Sequence, residues 1–355
     1  MTPPELPAGP ELRLLARPER DLEDQPRWSD RLLFSRLAQF SATLTCVTGP
    51  LALWGDWIGA IAFGLLGSAG IHLAGQVRLQ RLVGRGLWRR ALSLLEGLPT
   101  DGGERFRAVF LAYQAQCRLG LRDIPGAKEC LKGIRYEGLP QSSAVFARLV
   151  HCQFFLNQFD LGSARTLLDE MDGPPGLPPR HRAPVALYRA FLELLDDNPS
   201  GTLRGLDEAE KLRPATGRGI VKIVRAIAMA EQGLECETTV PRLAREALSE
   251  SPLADGTRPA VLLNYLYLQY ILGGQMGRHT PLLRTLGEYA PEFGESGLTT
   301  WLLLKSAAEV EMGFIDLARA RLQEALARRC RPSIRRRLER LGQQLVACET
   351  AAARA

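Results

Sequence analysis

The chain has 355 residues, of which 46% are hydrophobic and 24% are charged, and its formal net charge is +6 at pH 7. This composition is that of a folded protein and excludes wholesale disorder. The seven cysteines occur singly, with no Cys-x-x-Cys pair. That spacing argues against a disulfide scaffold or a structural zinc site and indicates buried thiols in a reducing compartment.

The first 31 residues are rich in proline and mixed in charge. Their acidic residues argue against a transit peptide, and no apolar stretch follows Met1 closely enough for a signal peptide. We therefore predict a disordered, polar, cytoplasmic tail over residues 1–31.

An apolar region follows the tail. Within Leu37–Val77, Asp56 is the only charged side chain, where the average composition of the chain would place about ten. A helix over residues 57–77 would be ~31 Å long, which matches a hydrocarbon core. We predict a membrane hairpin within residues 32–77, with spans at about 37–53 and 57–77. The expected interface anchors are Trp54, Trp57, Arg78 and Arg81.

Arginines flank this region on both sides and are absent from its central loop, so both ends of the hairpin are expected in the cytoplasm. The predicted location is the cytoplasmic (inner) membrane, with everything after Val77 in the cytoplasm. Two alternatives stay open: residues 57–77 span alone, or the region is a buried hairpin of a soluble protein. His72 is interpreted as a neutral, hydrogen-bonded residue of the hairpin.

Four segments after Val77 share a pattern in which a helix break is followed by a small residue and then by large apolar residues. Weaker members are placed at Ala209, Ala244 and Leu283, with steps of 35 to 45 residues. The 45-residue step is attributed to an inserted proline-rich loop at residues 173–179. The signature residues are Gly86, Trp88, Ala91, Ala127, Ala164, Gly313 and Ala318.

This pattern resembles the second-helix half of the tetratricopeptide repeat (TPR) over about residues 78–330. The resemblance implies an all-α fold: the membrane hairpin, an α-solenoid of about seven helix pairs, and a capping helix within residues 331–355. Glycine is expected to end the first helix of each pair in a left-handed conformation. The first helix of repeat one should end near Gly84–Gly86 and continue from the membrane span. Further first helices are predicted at 107–119, 143–158, 184–195, 220–232, 259–272 and 299–312.

The sequence contains no evident motif of a catalytic, cofactor-binding or metal-binding site. The sequence has no phosphate-binding glycine loop, no His-Glu-x-x-His motif and no Gly-x-Ser-x-Gly elbow. We therefore predict no enzyme, with no catalytic, cofactor-binding or metal-binding residues. The lysine and asparagine clamp with which some TPR domains bind chaperone C-termini is expected to be absent, because Asn157, Asn198, Asn264 and the five lysines do not recur at matching repeat positions.

Seven arginines fall within 13 residues near the C-terminus. They have two interpretations: a patch for an anionic partner or lipid, or the exposed face of a capping helix that Ser333 opens as N-cap. We favour the second. The cluster is Arg328, Arg329, Arg331, Arg335, Arg336, Arg337 and Arg340.

The function expected from these features is that of a membrane-anchored, non-catalytic scaffold that recruits protein partners on its curved surface. A nucleic-acid partner and a small-molecule substrate are not expected. One alternative is a regulatory subunit that contacts a membrane enzyme or transporter through the hairpin, and another is a soluble peptide-binding TPR protein with a hydrophobic cap. The layout resembles that of bacterial inner-membrane TPR proteins, including those linked to haem synthesis, and this transfers no substrate.

Overall fold

A computed structural model describes residues 78–83, 85, 87–96, 103–172, 177, 179–212, 218–251 and 258–352. The predicted tail and hairpin, with Trp54, Trp57 and Gly86, lie outside these residues. In the described part of the chain, no helix combines the length and the apolar character that a membrane crossing requires.

All regular structure in the described residues is helical. The chain divides into two compact units, whose described parts are residues 78–138 and 139–352. The first unit contains a helical segment at 78–83, α1 (Trp88–Glu96), α2 (Gly103–Gly120) and α3 (Ile124–Lys132). The second contains α4 (Gln141–Asn157), α5 (Leu161–Asp172), α6 (Pro179–Leu195), α7 (Pro199–Leu212), α8 (Arg218–Glu231), α9 (Thr239–Ser249), α10 (Arg258–Ile271), α11 (Thr280–Tyr289), α12 (Glu295–Glu311), α13 (Ile315–Leu326) and α14 (Pro332–Ala352). Short 3-10 helices occupy Gly277–His279 and Ala290–Glu292.

The helices pack as consecutive pairs, and we call the first member of each pair its A helix. Within the second unit, neighbouring A helices also pack against each other, as in α4 with α6, α8 with α10 and α10 with α12. The six A helices predicted after repeat one are all present, each ending within one residue of the prediction. They begin one to five residues earlier than predicted, because the apolar stripe used to place them starts only after the first turn.

The turn after each A helix has the same backbone geometry in six repeats. One residue there has a positive φ, between 56° and 81°, and the following N–H bonds to the carbonyl five residues earlier, as in Phe314 N to Glu309 O at 2.8 Å. This is the Schellman motif, which satisfies carbonyls that a helix end leaves open. The left-handed residues are Arg122, Phe159, Asp197, Gly233, Gly273 and Gly313.

The expectation that glycine ends each A helix is therefore right for three turns and wrong for the other three. In the latter, the next residue caps the following helix with its side-chain oxygen, and we call them the capped turns. Asp123 accepts from Gly126 N at 2.9 Å, Asp160 from Ser163 N at 3.2 Å, and Asn198 from Gly201 N at 3.0 Å. The other three, which we call the glycine turns, have Leu234, Gly274 and Phe314 at this position.

The small-residue signature is buried where the sequence placed it. Ala91, Ala127, Ala164 and Ala318 have no exposed surface, and each is the fourth residue of its helix. In α7, however, this position belongs to Thr202 and not to Ala209, so the step from Ala164 is 38 residues and not 45. Threonine fits because its hydroxyl donates to the Asn198 carbonyl at 3.0 Å, which leaves no unpaired polar group at the helix contact.

Candidate functional site

The A helices of the second unit surround a cavity of about 380 Å³. We call it the A-helix cavity. Its wall combines apolar side chains with amide, hydroxyl and charged groups. The side chains and glycines that line it are Gln153, Leu156, Asn157, Tyr188, Phe191, Leu194, Leu195, Ile220, Val224, Ala260, Leu263, Asn264, Tyr267, Glu292, Phe293, Gly294, Ser296, Gly297, Thr300 and Arg331.

Helical periodicity explains why these residues share one surface. On α10, Ala260, Leu263, Asn264 and Tyr267 are spaced three or four residues apart, which places them on one face of the helix. The residues that alternate with them belong to the packed core of the unit, where Leu262 and Leu266 have no exposed surface. The same stripe pattern that predicted these helices therefore supplies both the core and the cavity wall.

The cavity is bounded by a close approach between the first and the last A helix around it. A Cβ atom on Gly294, just before α12, would lie 3.2 Å from the Asn157 Cα at the end of α4. A side chain at this position would push the neighbouring backbone away by a few tenths of an ångström. Gly294 therefore favours the close contact that joins α4 to the start of α12.

The polar groups of the wall are partly engaged with one another. The Tyr188 hydroxyl donates to Gln153 Oε1 at 3.5 Å, and Asn264 Nδ2 donates to the Ala260 carbonyl at 2.9 Å. Burial raises the pKa of Tyr188 above its ordinary value, so this phenol stays protonated. The cavity brings together Asn157 and Asn264, two of the three asparagines that share no repeat position in the sequence.

Arg331 lies at the edge of this cavity, just before α14, and is only 4% exposed. Its Nη2 lies 2.5 Å from Glu231 Oε2, at the end of α8, and 3.7 Å from Asp197 Oδ1 in the turn before α7. Arg336 Nη2 donates to Asp197 Oδ2 at 2.7 Å. The two guanidinium groups thus connect the start of α14 with helices about 100 to 139 residues earlier in the chain.

An aromatic side chain completes this cluster. The Tyr267 hydroxyl donates to Glu231 Oε1 at 3.0 Å, and the guanidinium carbons of Arg331 and Arg337 lie 5.9 and 6.0 Å from the Tyr267 ring centroid. These distances are within the range of cation–π attraction. We call the cluster the Arg331 latch; its members are Arg331, Arg336, Arg337, Asp197, Glu231 and Tyr267.

Two members of the latch, Asp197 and Tyr267, have shifted pKa values. Burial alone would raise the pKa of Asp197, but the Ser333 hydroxyl, Arg336 and the charge of Arg331 outweigh it, so the pKa lies below the ordinary 3.8. Burial raises the pKa of Tyr267 to about 12, although the charge of Arg331 opposes the shift. At neutral pH the latch therefore contains an ionised Asp197 and a neutral phenol.

The C-terminal arginines do not form one exposed face, and this part of the expectation is wrong. Arg331 is buried in the latch, and Arg335 donates to the Leu326 and Arg328 carbonyls at the end of α13. Arg328 pairs with Glu295 and Glu324. Three members of the cluster are exposed: Arg329, Arg336 and Arg340.

Ser333 is not the N-cap of the last helix. Helix α14 begins at Pro332, so Ser333 is inside the first turn, where its side chain is 7% exposed. Proline suits the first helical position because it has no N–H to satisfy. A helix start at Pro332 was not predicted, because serine is also a common N-cap residue.

The other sequence-predicted site residues are spread along the first unit. Arg78 and Arg81 lie on the helical segment 78–83, where Arg81 is exposed. Trp88 packs its ring against Gly120 at the end of α2, where a Cβ would come within 2.4 Å of the ring. In the described residues, no group of three His, Cys, Asp or Glu side chains is placed to hold a metal ion.

A cluster of exposed apolar side chains lies where α12 meets α13. Met312 is 37% exposed, Phe314 53% and Leu317 54%. These are three of the five large apolar residues found exposed in the described part of the chain, and they fall within six positions. We call them the Phe314 patch.

No protein-family model matches the chain, and no curated protein matches it. Among solved structures, the chain is similar to a tetratricopeptide repeat protein from Parabacteroides merdae ATCC 43184, known from a crystal structure at 2.39 Å resolution. The similarity has a TM-score of 0.39 and 13% sequence identity, and it covers 76% of this chain and 97% of that one. The description as a helical-repeat protein rests on the paired helices and the repeated turns.

Proposed function

We propose that the protein is a membrane-anchored, non-catalytic, TPR-like scaffold that recruits or assembles partner proteins at the cytoplasmic face, with the Phe314 patch as a contact surface. The patch is the observation that carries the proposal. Exposed apolar side chains that cluster on a folded surface are typical of protein-binding sites, whereas single ones are common anywhere.

Phe314 contributes little to stability for two reasons, which supports a role in binding. It is more than half exposed, and it is the N-cap residue of α13 without any side-chain cap bond. Asp123 has the equivalent position before α3, with similar backbone angles, and caps that helix. Phenylalanine thus replaces a residue type worth about 1 kcal/mol at this position.

The interior of the second unit is less suited to a folded partner. A cavity of about 380 Å³ is near the lower end of the ~300–1,000 Å³ of small-molecule sites. That volume is small for a helix or a long peptide segment, whereas the outer surface at the α12–α13 turn sets no such limit on the size of a partner.

Photo-crosslinking in cells tests the proposal with the full chain. A benzoylphenylalanine at position 314 should give one or a few discrete protein adducts, and these should weaken at least several-fold when Leu317→Ser is added. Position 234 is the matched control, because Leu234 also follows a left-handed glycine and is 44% exposed, in a turn without a patch. The same adducts at positions 234 and 314, or adducts that Leu317→Ser leaves unchanged, would count against the Phe314 patch.

Membrane anchoring is tested separately by alkaline carbonate extraction. We expect the full-length chain to stay in the membrane pellet, because an integral hairpin resists alkaline release. Release into the supernatant would contradict the proposed membrane anchor. If the hairpin is replaced by an unrelated anchor, a scaffold should keep its crosslinks at position 314.

A further inference from the structure

In the first unit, the beginning of α2 and the end of α3 lie side by side. Two contacts fix the antiparallel register of this pair: Cys130 Sγ donates to Gln114 Oε1 at 3.9 Å, and a Cβ on Gly133 would lie 3.1 Å from Leu111 Cδ1. Arg107 precedes Leu111 by one helical turn, so it lies on the same face of α2, beside the residues that follow α3.

A cavity of about 300 Å³ lies at this end of the pair, and we call it the α2–α3 pocket. Among the described residues, its wall is formed by Arg107, Ala108, Lys132, Gly133 and Arg135. The three basic residues are exposed, so their charged groups are accessible to a ligand from solvent. No acidic residue is among the described residues of the wall.

The charges at the pocket indicate which class of ligand fits it. Lys132 Nζ lies 2.8 Å from Glu129 Oε1, but the two side chains are 60% and 70% exposed, and such a pair is weak enough to exchange for a ligand. Three cations next to one carboxylate leave an excess of two positive charges. A phosphate monoester carries about −1.5 to −2 at pH 7 and has three strong acceptor oxygens, whereas a carboxylate carries a single charge.

The first unit as a whole is also the basic part of the chain. Residues 78–138 contain 12 Lys and Arg residues and 6 Asp and Glu residues, whereas residues 139–352 contain 26 and 25. An excess of one sign attracts counter-charged ligands over a distance of ~10 Å at 0.1 M salt. The α2–α3 pocket therefore lies where an anion is favoured by its surroundings as well as by its wall.

We propose that the α2–α3 pocket binds a phosphate monoester, with Arg107 and Arg135 donating N–H groups to its oxygens and Lys132 pairing with it as a point charge. Arginine suits this role because its planar group donates two parallel bonds to phosphate. A soluble phosphate ester and the headgroup of an anionic lipid present the same group, and the test below distinguishes them. This site is independent of the Phe314 patch and of the scaffold role.

Binding is tested by calorimetry on the full chain in a neutral detergent at low ionic strength, with detergent alone as the blank. The probes are glycerophosphate as a soluble monoester, dihexanoyl phosphatidic acid as a lipid monoester, and dihexanoyl phosphatidylcholine as a lipid without net charge. Glycerate is the carboxylate counterpart of glycerophosphate. At least one monoester should bind saturably with a stoichiometry near one, and its counterpart should bind roughly tenfold more weakly because it has less charge to pair.

The two monoesters identify the source of the phosphate. Equal affinities would mean that the phosphate group alone is recognised, so that a soluble ester is sufficient. Saturable binding of phosphatidic acid without binding of glycerophosphate would assign the site to a lipid headgroup.

Four variants locate the site. Arg107→Gln and Lys132→Gln should each lower the affinity for the monoester roughly five- to tenfold. Lys128→Gln is the matched control, because it removes one cation from the exposed side of α3 outside the pocket, and it should change the affinity less than about twofold. Glu129→Gln frees Lys132 from its partner and should raise the affinity roughly threefold.

Circular dichroism and the thermal midpoint confirm that each variant is folded before it is titrated. The proposal is overturned if neither monoester binds beyond the blank, or if glycerate and phosphatidylcholine bind as tightly as the monoesters. It is equally overturned if folded Arg107→Gln and Lys132→Gln bind like the unmodified chain, or if Lys128→Gln loses as much affinity as they do.

Discussion

The capped turns and the glycine turns reach one backbone geometry with different residues. In the capped turns a residue with a Cβ adopts positive φ, at 61° for Arg122, 56° for Phe159 and 61° for Asp197. Such a conformation costs an L residue about 1–2 kcal/mol. In the glycine turns, φ lies between 70° and 81° at little cost.

The residue that follows the left-handed position offsets this difference. Each capped turn continues with an Asp or Asn whose side chain accepts from the next helix, and such a cap contributes about 1 kcal/mol. Each glycine turn continues with a residue that has no such acceptor. In these six turns, the strained left-handed residue and the side-chain cap thus occur together or not at all. Because the two effects are similar in size and opposite in sign, the turns are close in free energy. Phe314 is therefore not needed as a cap and can serve another role.

The largest expected effect on stability concerns Asp197, the left-handed residue of a capped turn that also belongs to the Arg331 latch. Asn tolerates positive φ as Asp does, so Asp197→Asn adds no strain to the turn but removes the charge that Arg331 and Arg336 contact. We expect a loss of about 2–3 kcal/mol in unfolding free energy, below the ~3–5 kcal/mol of a fully broken buried pair, because Glu231 still pairs with Arg331. Asp160→Asn is the control, because it makes the same substitution in another capped turn and keeps a side-chain oxygen that accepts from Ser163 N, so it should change stability by less than about 0.5 kcal/mol. Chemical denaturation of the full chain in detergent measures the unfolding free energy of both variants. Equal losses would mean that the contacts of Asp197 within the latch do not contribute to stability.

Acid should reproduce the Asp197→Asn effect. The folded-state pKa of Asp197 is lowered, so its contribution is present above the unfolded pKa of about 3.8 and disappears as pH falls through the folded value. Denaturation curves recorded from pH 6 downward should therefore show the stabilities of the unmodified chain and Asp197→Asn converging as pH falls through that folded value. A stability gap that persists in acid would show that the variant acts through something other than this charge.

Removing a side-chain cap should have the next largest effect on the unfolding free energy. Asp160→Ala removes the bond to Ser163 N but leaves Phe159 in its left-handed conformation, so the strain is no longer offset. The expected loss is about 1 kcal/mol. Leu234→Ala, at the equivalent position of a glycine turn, removes no cap and should lose less than about 0.5 kcal/mol. If both variants lose the same, capping does not distinguish the two kinds of turn.

The sequence predicted the A helices and the small buried residues because both depend on local periodicity. The left-handed residues Arg122, Phe159 and Asp197 could not be found by searching for glycine; the signal for them is the Asp or Asn that follows. The cavity and the latch could not be predicted from the sequence for another reason. Arg331 and Glu231 are 100 residues apart, and Arg336 and Asp197 are 139 apart, so no local pattern relates them. Only the folded arrangement of the helices brings these charges together.

The smallest expected change comes from converting the Gly313 turn into a capped turn. Gly313→Ala should lose about 1 kcal/mol, because the added Cβ meets no atom within 4 Å and the cost is that of the left-handed backbone alone. Phe314→Asp should gain about 1 kcal/mol, because the N-cap angles of φ −86° and ψ 65° nearly match those of Asp123. The double variant should then lie within about 0.5 kcal/mol of the unmodified chain if the two effects add. Denaturation midpoints of the three variants decide this, and a double variant that loses 1 kcal/mol or more would mean that strain and capping do not compensate. With the photo-crosslinker placed at position 317 of the same patch, a double variant that is as stable as the unmodified chain but loses the crosslinks would mean that an exposed phenylalanine is retained at this N-cap for binding and not for folding.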